Sequence, residues 1–281
     1  MKKATRAAFQ GEPGAFSQQA IRQLLGARAQ AAPRQRFDEV FAALAAGEAD
    51  AAVVPIENTL AGSVHENYDL LLKYDFEITA ETSVRIVHHL IAPPGLAWRR
   101  VRRAYSHPVA LSQCLDFFER HPQIERVPFY DTAGSVKMVM EQRPEGAAAI
   151  ASELAAKIYG GRILKREIES DRRNFTRFFL LEPHGARPRA PRGPGRKEWK
   201  TSLVFSTRNI PGALFRALSA LALRDLNLVK IESRPLRGKP WEYLFYLDLM
   251  GHREDPNVRN ALGHLGELAD FLRVLGTYRP A

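Results

Sequence analysis

Residues 51–64, AAVVPIENTLAGSV, decide how the fold is interpreted, because an apolar run changes to polar residues in the middle of this stretch. A short apolar run that is bounded by turn residues predicts a buried strand. Polar residues that directly follow such a strand lie where α/β proteins bind their ligands. We therefore predict a strand at 51–55 and a pocket beside Glu57 and Asn58.

The same alternation of strand and helix extends from residue 5 to about residue 182. It predicts βα units and a mainly parallel sheet with helices on its faces. Asp38, Asp131 or Thr132, and Ser152 precede helical patterns and are predicted to cap them. Strands are expected at residues 5–10, 33–37, 51–55, 101–106, 126–130 and 146–151.

Two extended runs divide this part of the chain into lobes. Residues 76–92, FEITAETSVRIVHHLIA, are expected to carry the backbone from one lobe to another, and residues 171–182 to return it. We therefore predict a cleft between two lobes. Its walls should come from the polar segments 11–17, 55–64, 106–114 and 174–178.

The C-terminal part follows a different pattern, βαββαβ, which predicts a ferredoxin-like module. One face of its sheet should be covered by both helices and the other left free, and an edge strand should pair with a second copy. We predict domains at 1–183 and 200–281, joined by a linker at 184–199. Strands are expected at 201–207, 227–234, 241–250 and 271–278, and helices at 211–224 and 257–269.

Composition excludes several classes of protein. The net charge of +10 is partly due to residues 183–198, where Arg and Lys are broken up by Pro and Gly without interleaved aromatics. This favours a solvated linker over a nucleic-acid-binding arm, and the remaining excess suits an anionic small substrate. Cys114 is the single cysteine, the start of the chain has no apolar segment, and no run approaches a membrane span. We expect a cytoplasmic protein with no membrane partner.

No cofactor or metal is expected, because the eight histidines lack ligand spacing and no glycine-rich phosphate loop is present. Seven motifs, taken together in their order, resemble a known family: prephenate dehydratase with a C-terminal ACT domain. The motifs are GEPGAFS (11–17), VVPIENTLAGSVHENYDLLL (53–72), SHPVALSQC (106–114), DTAGSVKMV (131–139), NFTRF (174–178), PGAL (211–214) and IESRP (231–235).

The resemblance implies a two-lobed, periplasmic-binding-protein-like α/β catalytic domain and an ACT regulatory domain. It implies decarboxylating dehydration of prephenate to phenylpyruvate in phenylalanine biosynthesis, without a cofactor and with feedback by phenylalanine. Plant arogenate dehydratases are similar in PGAFS and NYDLLL, so arogenate is an alternative substrate. A non-enzymatic amino-acid sensor is a further alternative. Ala15 departs from the family, in which many members have Thr or Ser.

The resemblance ties Thr176 to catalysis, and the residues agree with this role. A neutral hydroxyl can donate to a departing hydroxide without repelling a dianionic substrate. Glu57, as a protonated general acid, is the competing candidate, and Asn58 is a further donor. Strand alternation places Phe175 and Arg177 on the face opposite Thr176. Both are nevertheless predicted to bind the substrate. Arg177 could reach it if the strand bends, and the alternative for Arg177 is an ion pair with a helix carboxylate.

Ser106 and Gln113 flank His107 and are predicted to contact the substrate, with a helix cap and a surface glutamine as the alternative. His107 is expected to brace the turn. In the ACT domain, a helix N-terminus should bind the carboxylate of phenylalanine, and IESRP its ammonium, across a subunit boundary of a homodimer or a dimer of dimers. The residues predicted there are Asn209, Gly212, Ala213, Leu214, Glu232 and Ser233.

Overall fold

The computed structural model describes residues 4–189, 198–236, 238–239 and 241–281, which divide into two compact units. The first unit contains Met1–Tyr74 and Thr82–Leu180, and the second contains Asp75–Glu81 and Leu181–Ala281. Most of the predicted linker, residues 190–197, lies outside the described residues. The domain boundary at residue 183 stays a prediction.

The first lobe is built from the N-terminal βα units. Its sheet has β1 in parallel with both β2 and β3, which buries apolar strands between helices. The short β4 pairs with the end of β3. The elements are β1 (Arg6–Gln10), α1 (Phe16–Leu25), β2 (Gln30–Arg34), α2 (Phe37–Ala45), β3 (Ala51–Asn58), β4 (Gly62–Ser63), α3 (His65–Lys73) and β5 (Phe76–Arg85).

The second lobe contains a sheet with the strand order β10-β6-β9-β7-β8. Strand β7 is parallel to β8 and β9, whereas β6 is antiparallel to β9 and β10. The elements are β6 (His89–Ala92), a 3-10 helix (Trp98–Arg100), β7 (Arg103–Ser106), α4 (Pro108–Ser112), α5 (Leu115–Arg120), β8 (Glu125–Pro128), α6 (Thr132–Gln142), β9 (Ala147–Ala151), α7 (Glu153–Tyr159) and β10 (Arg162–Lys165).

The chain crosses between the lobes twice. After β5 it enters the second lobe, and it returns with β11 (Phe175–Pro183), which lies between β3 and β5 in the first sheet. The predicted two-lobed α/β architecture is therefore confirmed. Both crossings bring the chain past the cleft, so residues after β5 and at the start of β11 can form its walls.

Two of the predicted helix caps are confirmed and one is wrong. Asp131 Oδ1 accepts a hydrogen bond from the N–H of Gly134 (2.6 Å), and Ser152 Oγ accepts one from Ala155 (3.1 Å). Asp38 lies inside the first turn of α2, where Arg36 holds the N-cap position, and the Asp38 carboxylate forms an ion pair with Arg36 (2.6 Å). The second strand also begins three residues earlier than predicted, in register with β1.

The C-terminal module has the predicted βαββαβ order. Its antiparallel sheet has the order β13-β14-β12-β15, and both helices cover one face. No helix among the described residues is long and apolar enough to cross a membrane. The elements are β12 (Lys200–Ser206), α8 (Ala213–Ala222), β13 (Leu228–Pro235), β14 (Tyr243–Met250), α9 (Pro256–Leu268) and β15 (Phe271–Tyr278).

The prediction that the second face of this sheet is free is wrong. Ser202 and Val204 point away from the helices, yet both are buried. Residues 75–81, distant in sequence, lie on this face. A Cβ atom on Gly276 would overlap the carbonyl oxygen of Ile78, so the two backbones are in direct contact.

Two ion pairs with buried carboxylates hold the same segment. Glu81 pairs with Lys200 (2.6 Å), and Glu77 pairs with Arg253 (3.0 Å). Because both carboxylates are buried, removal of a cationic partner would weaken the compensation of their charge in the interior. The pairs therefore hold residues 75–81 in one position on the sheet.

We expect Gly276→Ala to lower the free energy of unfolding by about 1–3 kcal/mol, because the added methyl group collides with Ile78. Gly263→Ala is the matched control. Nothing lies within 4 Å of a Cβ atom at Gly263 in α9, so this change should be stabilising by about 0.5–1 kcal/mol. Thermal unfolding of the full chain measures both, and equal melting temperatures for the two variants would contradict the packing described.

Candidate active site

A cavity of about 490 Å³ opens in the first unit, between the two lobes. Its walls come from the segments that follow β1, β3, β5, β7 and β8, and from the start of β11. This is the edge of the sheets at which α/β proteins bind ligands. Polar side chains in its walls include Asn58, His88, His107, Gln113, Asp131 and Thr176.

Thr176 presents a hydroxyl with a defined direction. The residue is 8% exposed at the start of β11, and its Oγ1 lies 3.0 Å from Asn58 Nδ2. An amide nitrogen can only donate, so Oγ1 is the acceptor in this bond. The hydroxyl makes no other hydrogen bond to the described residues. Its own hydrogen is therefore available to a ligand in the cavity.

Asn58 is held in the orientation that this requires. Its Oδ1 accepts hydrogen bonds from the N–H groups of Leu60 (3.0 Å) and Ala61 (2.8 Å), which identifies it as the oxygen. The Nδ2 group then faces β11, where Asn174 Oδ1 lies 2.7 Å away. Thus the turn after β3 fixes the amide, and the amide fixes Thr176.

Gln113 and His88 extend the contacts of Asn58. Gln113 Nε2 lies 3.4 Å from Asn58 Oδ1, and Gln113 Oε1 lies 3.0 Å from His88 Nε2. Burial lowers the pKa of His88, and its hydrogen bond to Gln113 opposes this only in part. The ring is therefore neutral near neutral pH. Three of the predicted residues, Thr176, Asn58 and Gln113, thus come together in the cavity wall.

His107 and Asp131 line the second lobe's side. His107 Nδ1 accepts from the N–H of Val109 (3.3 Å) and caps α4, which agrees with its expected bracing role. Burial lowers the pKa of His107. Burial raises the pKa of Asp131, while hydrogen bonds from the N–H groups of Gly134 and Glu12 oppose the rise.

Three of the predicted site residues lie outside the cavity lining because of strand alternation. Glu57 precedes Asn58 on β3, and Phe175 and Arg177 flank Thr176 on β11. Neighbouring residues on a strand point to opposite faces, so these side chains leave the wall that Asn58 and Thr176 form. Arg177 instead stacks on Phe179, 4.7 Å from the ring centre.

Ser106 is also absent from the lining. It is fully buried, and its hydroxyl donates to the carbonyl oxygen of Ile150 on β9 (2.6 Å). The side chain thus serves the pairing of β7 with β9. The structure places it beneath the cavity wall, without a surface that a substrate could contact.

Several lining residues were not among the predicted site residues. His88 was part of the run expected to be extended chain, Asp131 was considered only as a cap, and Gln10 ends β1. Asp131 comes directly after a predicted strand, and Gln10 is the last residue of another. Their positions were a signal that could have identified them, whereas His88 lies inside the predicted extended run and gave no such signal.

The described residues that line the cavity include no lysine or arginine. Its electropositive features are instead neutral hydrogen-bond donors and the N-terminus of α1. Ala15 is the N-cap residue of this helix, and its side chain makes no capping hydrogen bond. Free N–H groups at Phe16 and Ser17 and the helix dipole favour an anion there. No group of three or more His, Cys, Asp or Glu among the described residues is arranged to hold a metal.

A second cavity, of about 330 Å³, lies in the C-terminal unit at the start of α8. Asn209, Gly212, Ala213 and Leu214 line it, as predicted for the regulatory site. Two further predicted residues, Glu232 and Ser233, do not line it. They lie on β13 and pair with Tyr246 and Phe245.

Two family models match the chain: prephenate dehydratase over residues 7–186 and the ACT domain over residues 201–276. One similar curated protein is arogenate dehydratase/prephenate dehydratase 2, chloroplastic, of Arabidopsis thaliana. It is 43% identical over 283 residues, which span 97% of this chain and 72% of that protein.

Two solved structures are similar along nearly the whole chain. The prephenate dehydratase of Arthrobacter aurescens in complex with L-Phe has a TM-score of 0.87 and 33% identity, and the match covers 97% of this chain and 89% of that one. A protein described as a novel type of quorum-quenching acylase, GqqA, has a TM-score of 0.87 and 35% identity, and the match covers 98% of both chains.

The pKa of Asp131 gives a pH-dependent prediction. Because burial raises this pKa above 3.8, the folded state binds the proton more tightly, and ionisation costs stability as the pH rises through the folded pKa. The stability of Asp131→Asn relative to the wild type should therefore increase between about pH 4 and about pH 7.

Asp38→Asn is the control whose pKa shift has the opposite sign. A hydrogen bond from Arg36 lowers the pKa of this exposed carboxyl, so its contribution to stability is lost only as the pH falls below about 4. Between about pH 4 and about pH 7 the relative stability of this variant should not increase. Melting temperatures at the two pH values measure both effects. Parallel curves for the wild type and Asp131→Asn would contradict the burial of Asp131.

Proposed function

The chain belongs to the prephenate dehydratase family of carbon–oxygen lyases, and from this premise we propose that its cavity converts prephenate to phenylpyruvate. The reaction breaks two bonds of the substrate ring. The ring carboxylate leaves as CO₂, its bonding electrons enter the ring, and the ring hydroxyl leaves as hydroxide, which takes a proton to become water. The ring becomes aromatic, which drives the reaction.

The observation that carries this proposal is the direction of the Thr176 hydroxyl. Asn58 donates to one lone pair of Oγ1 and leaves the hydroxyl hydrogen available to the cavity. That hydrogen can bond to the ring oxygen as negative charge develops on it. A preorganised donor of this kind contributes about 3–4 kcal/mol to the transition state, or about two to three powers of ten in rate.

The lack of cationic side chains in the described lining also favours this chemistry. A lysine or arginine bound to the departing carboxylate would stabilise the substrate more than the transition state, in which that charge moves into the ring. The α1 N-terminus and the neutral donors can instead hold the side-chain carboxylate, which keeps its charge throughout the reaction.

The same geometry argues against amide hydrolysis by Thr176, the kind of activity named for the acylase neighbour. A nucleophilic hydroxyl needs a general base within hydrogen-bond reach. The described partner of Thr176 Oγ1 is the amide of Asn58, which donates and cannot accept a proton. A donor role fits these contacts, and a nucleophilic role does not.

Arogenate is a second candidate substrate, favoured by one observation. Asp131 is the acidic residue in the described lining, and arogenate carries an ammonium group that a carboxylate could bind. The reaction at the ring is the same for both substrates. Product analysis separates them, because prephenate yields phenylpyruvate and arogenate yields phenylalanine.

We also propose that phenylalanine binds the second cavity and regulates the enzyme. Gly212, with φ of 76°, leaves the start of α8 without a side-chain cap, and Arg208 lies in the lining, so a carboxylate has partners there. Inhibition requires that phenylalanine bind one conformation of the enzyme better than another.

The assembly proposed is a homodimer, or a dimer of dimers, through β13. This edge strand exposes Val229 (47%) and Ile231 (49%), an apolar pair that a second copy would cover. A partner's β13 would also bring Glu232 and Ser233 close to a ligand bound at the boundary. The single cysteine suits a cytoplasmic location, and the proposal includes no nucleic-acid or membrane partner.

Replacement of Thr176 tests the catalytic role. We expect Thr176→Val, which keeps the shape but loses the donor, to lower kcat by about 100- to 1000-fold with little change in KM. Thr176→Ser should retain more activity, because the hydroxyl remains. Glu57→Gln is the comparison for the competing acid, and a larger loss there than for Thr176→Val would refute the assignment. Release of phenylpyruvate or phenylalanine from each substrate is the measurement.

Assembly and regulation are tested together by Ile231→Glu. Charge at the β13 edge should shift the protein toward monomers in sedimentation experiments and weaken phenylalanine binding by about tenfold or more. Ile158→Glu, at a position 41% exposed in the first unit, is the control and should change neither property. An unchanged dimer in Ile231→Glu would exclude this interface.

A further inference from the structure

His88 lies outside the helices and strands, yet both its backbone and its ring are held by contacts. It is 1% exposed, its backbone N–H donates to Glu169 Oε2 (3.0 Å), and its carbonyl oxygen accepts from Ile168 (2.9 Å). The ring packs edge-on against Phe16, with 5.7 Å between ring centres. A ring held in this way can set the orientation of the group that it contacts.

The contact with Gln113 fixes where the ring carries its proton. Asn58 Oδ1 is an acceptor, so the Gln113 atom that faces it at 3.4 Å is the donor Nε2. Gln113 Oε1 therefore faces His88 Nε2 at 3.0 Å, and the histidine must donate. Nδ1 of His88 is then bare, which agrees with its burial without a hydrogen-bond partner in the described structure.

The hydrogen bonds consequently run in one direction. His88 Nε2 donates to Gln113, Gln113 donates to Asn58, and Asn58 donates to Thr176. The Gln113–Asn58 bond is the longest of the three. It is the link most dependent on how Gln113 is held, because an amide that rotates by half a turn would present its oxygen to Asn58 Oδ1.

We propose that His88 is a positioning residue that holds the Gln113 amide in the donating orientation and so, through Asn58, aims the Thr176 hydroxyl at the leaving oxygen. This inference rests on the proposed function of Thr176. Other roles for the ring are separable from it: packing against Phe16 needs the shape of the ring, whereas positioning needs the Nε2–H group.

Variants of His88 separate the two roles. His88→Phe keeps an aromatic ring and loses the donor, and should lower kcat by about tenfold with KM changed by less than about twofold. His88→Gln places an amide N–H near the same point and should recover much of the lost turnover. A loss of turnover that His88→Gln does not relieve would overturn the positioning role.

A double-mutant cycle gives the sharper result. In the Thr176→Val background no hydroxyl remains to be aimed, so His88→Phe should cause no further loss of kcat. An equal loss in both backgrounds would show that His88 acts independently of Thr176 and would overturn the inference. Full activity of Thr176→Val alone would instead refute the proposed role of Thr176, so the two failures are distinguishable.

Nitrogen NMR of the ¹⁵N-histidine-labelled wild-type enzyme needs no mutant that might misfold. We expect the His88 ring in the neutral Nε2–H form, with its signal assigned by its absence from His88→Gln or, if that variant does not fold, by site-specific labelling. A neutral Nδ1–H form would overturn the proposed direction of the hydrogen bonds.

Discussion

The hydrogen bond from Asn58 Nδ2 to Thr176 Oγ1 is the constraint on which the account of this site depends. An amide nitrogen cannot accept a hydrogen bond, so the hydroxyl must direct its own hydrogen elsewhere, and the cavity is the space that it lines. The chain brings the two residues together from 118 positions apart. A neutral hydrogen-bond donor that points at the leaving oxygen can stabilise a departing hydroxide.

The fold explains why this bond forms. Strand β3 ends at Asn58, β11 begins beside it at Phe175, and the two strands are neighbours in the first sheet. The turn after β3 fixes Asn58 Oδ1 through two backbone N–H groups, so the amide needs no ligand to adopt its orientation. The second lobe adds Gln113 and Asp131 to the cavity wall, and the crossing after β5 adds His88.

Much of the fold and part of the candidate site could be predicted from the sequence. Apolar runs followed by polar residues located the walls of the cavity, and strand alternation separated Thr176 from Arg177. His88 was missed because its run of alternating residues is typical of a strand, and its contact with Gln113 depends on tertiary structure. The prediction that the ACT sheet has a free face was wrong for a related reason. The backbone of Ile78, which contacts Gly276, lies nearly 200 residues away in sequence, and local sequence patterns do not reveal such a contact.

A crystal structure with an unreactive analogue that keeps the ring hydroxyl of prephenate tests the central claim most directly. The account predicts that the ring oxygen lies about 2.8 Å from Thr176 Oγ1 while Asn58 still donates to the same hydroxyl. A ring oxygen directed at Asp131 or at solvent, with Thr176 bonded to the side-chain carboxylate instead, would contradict it.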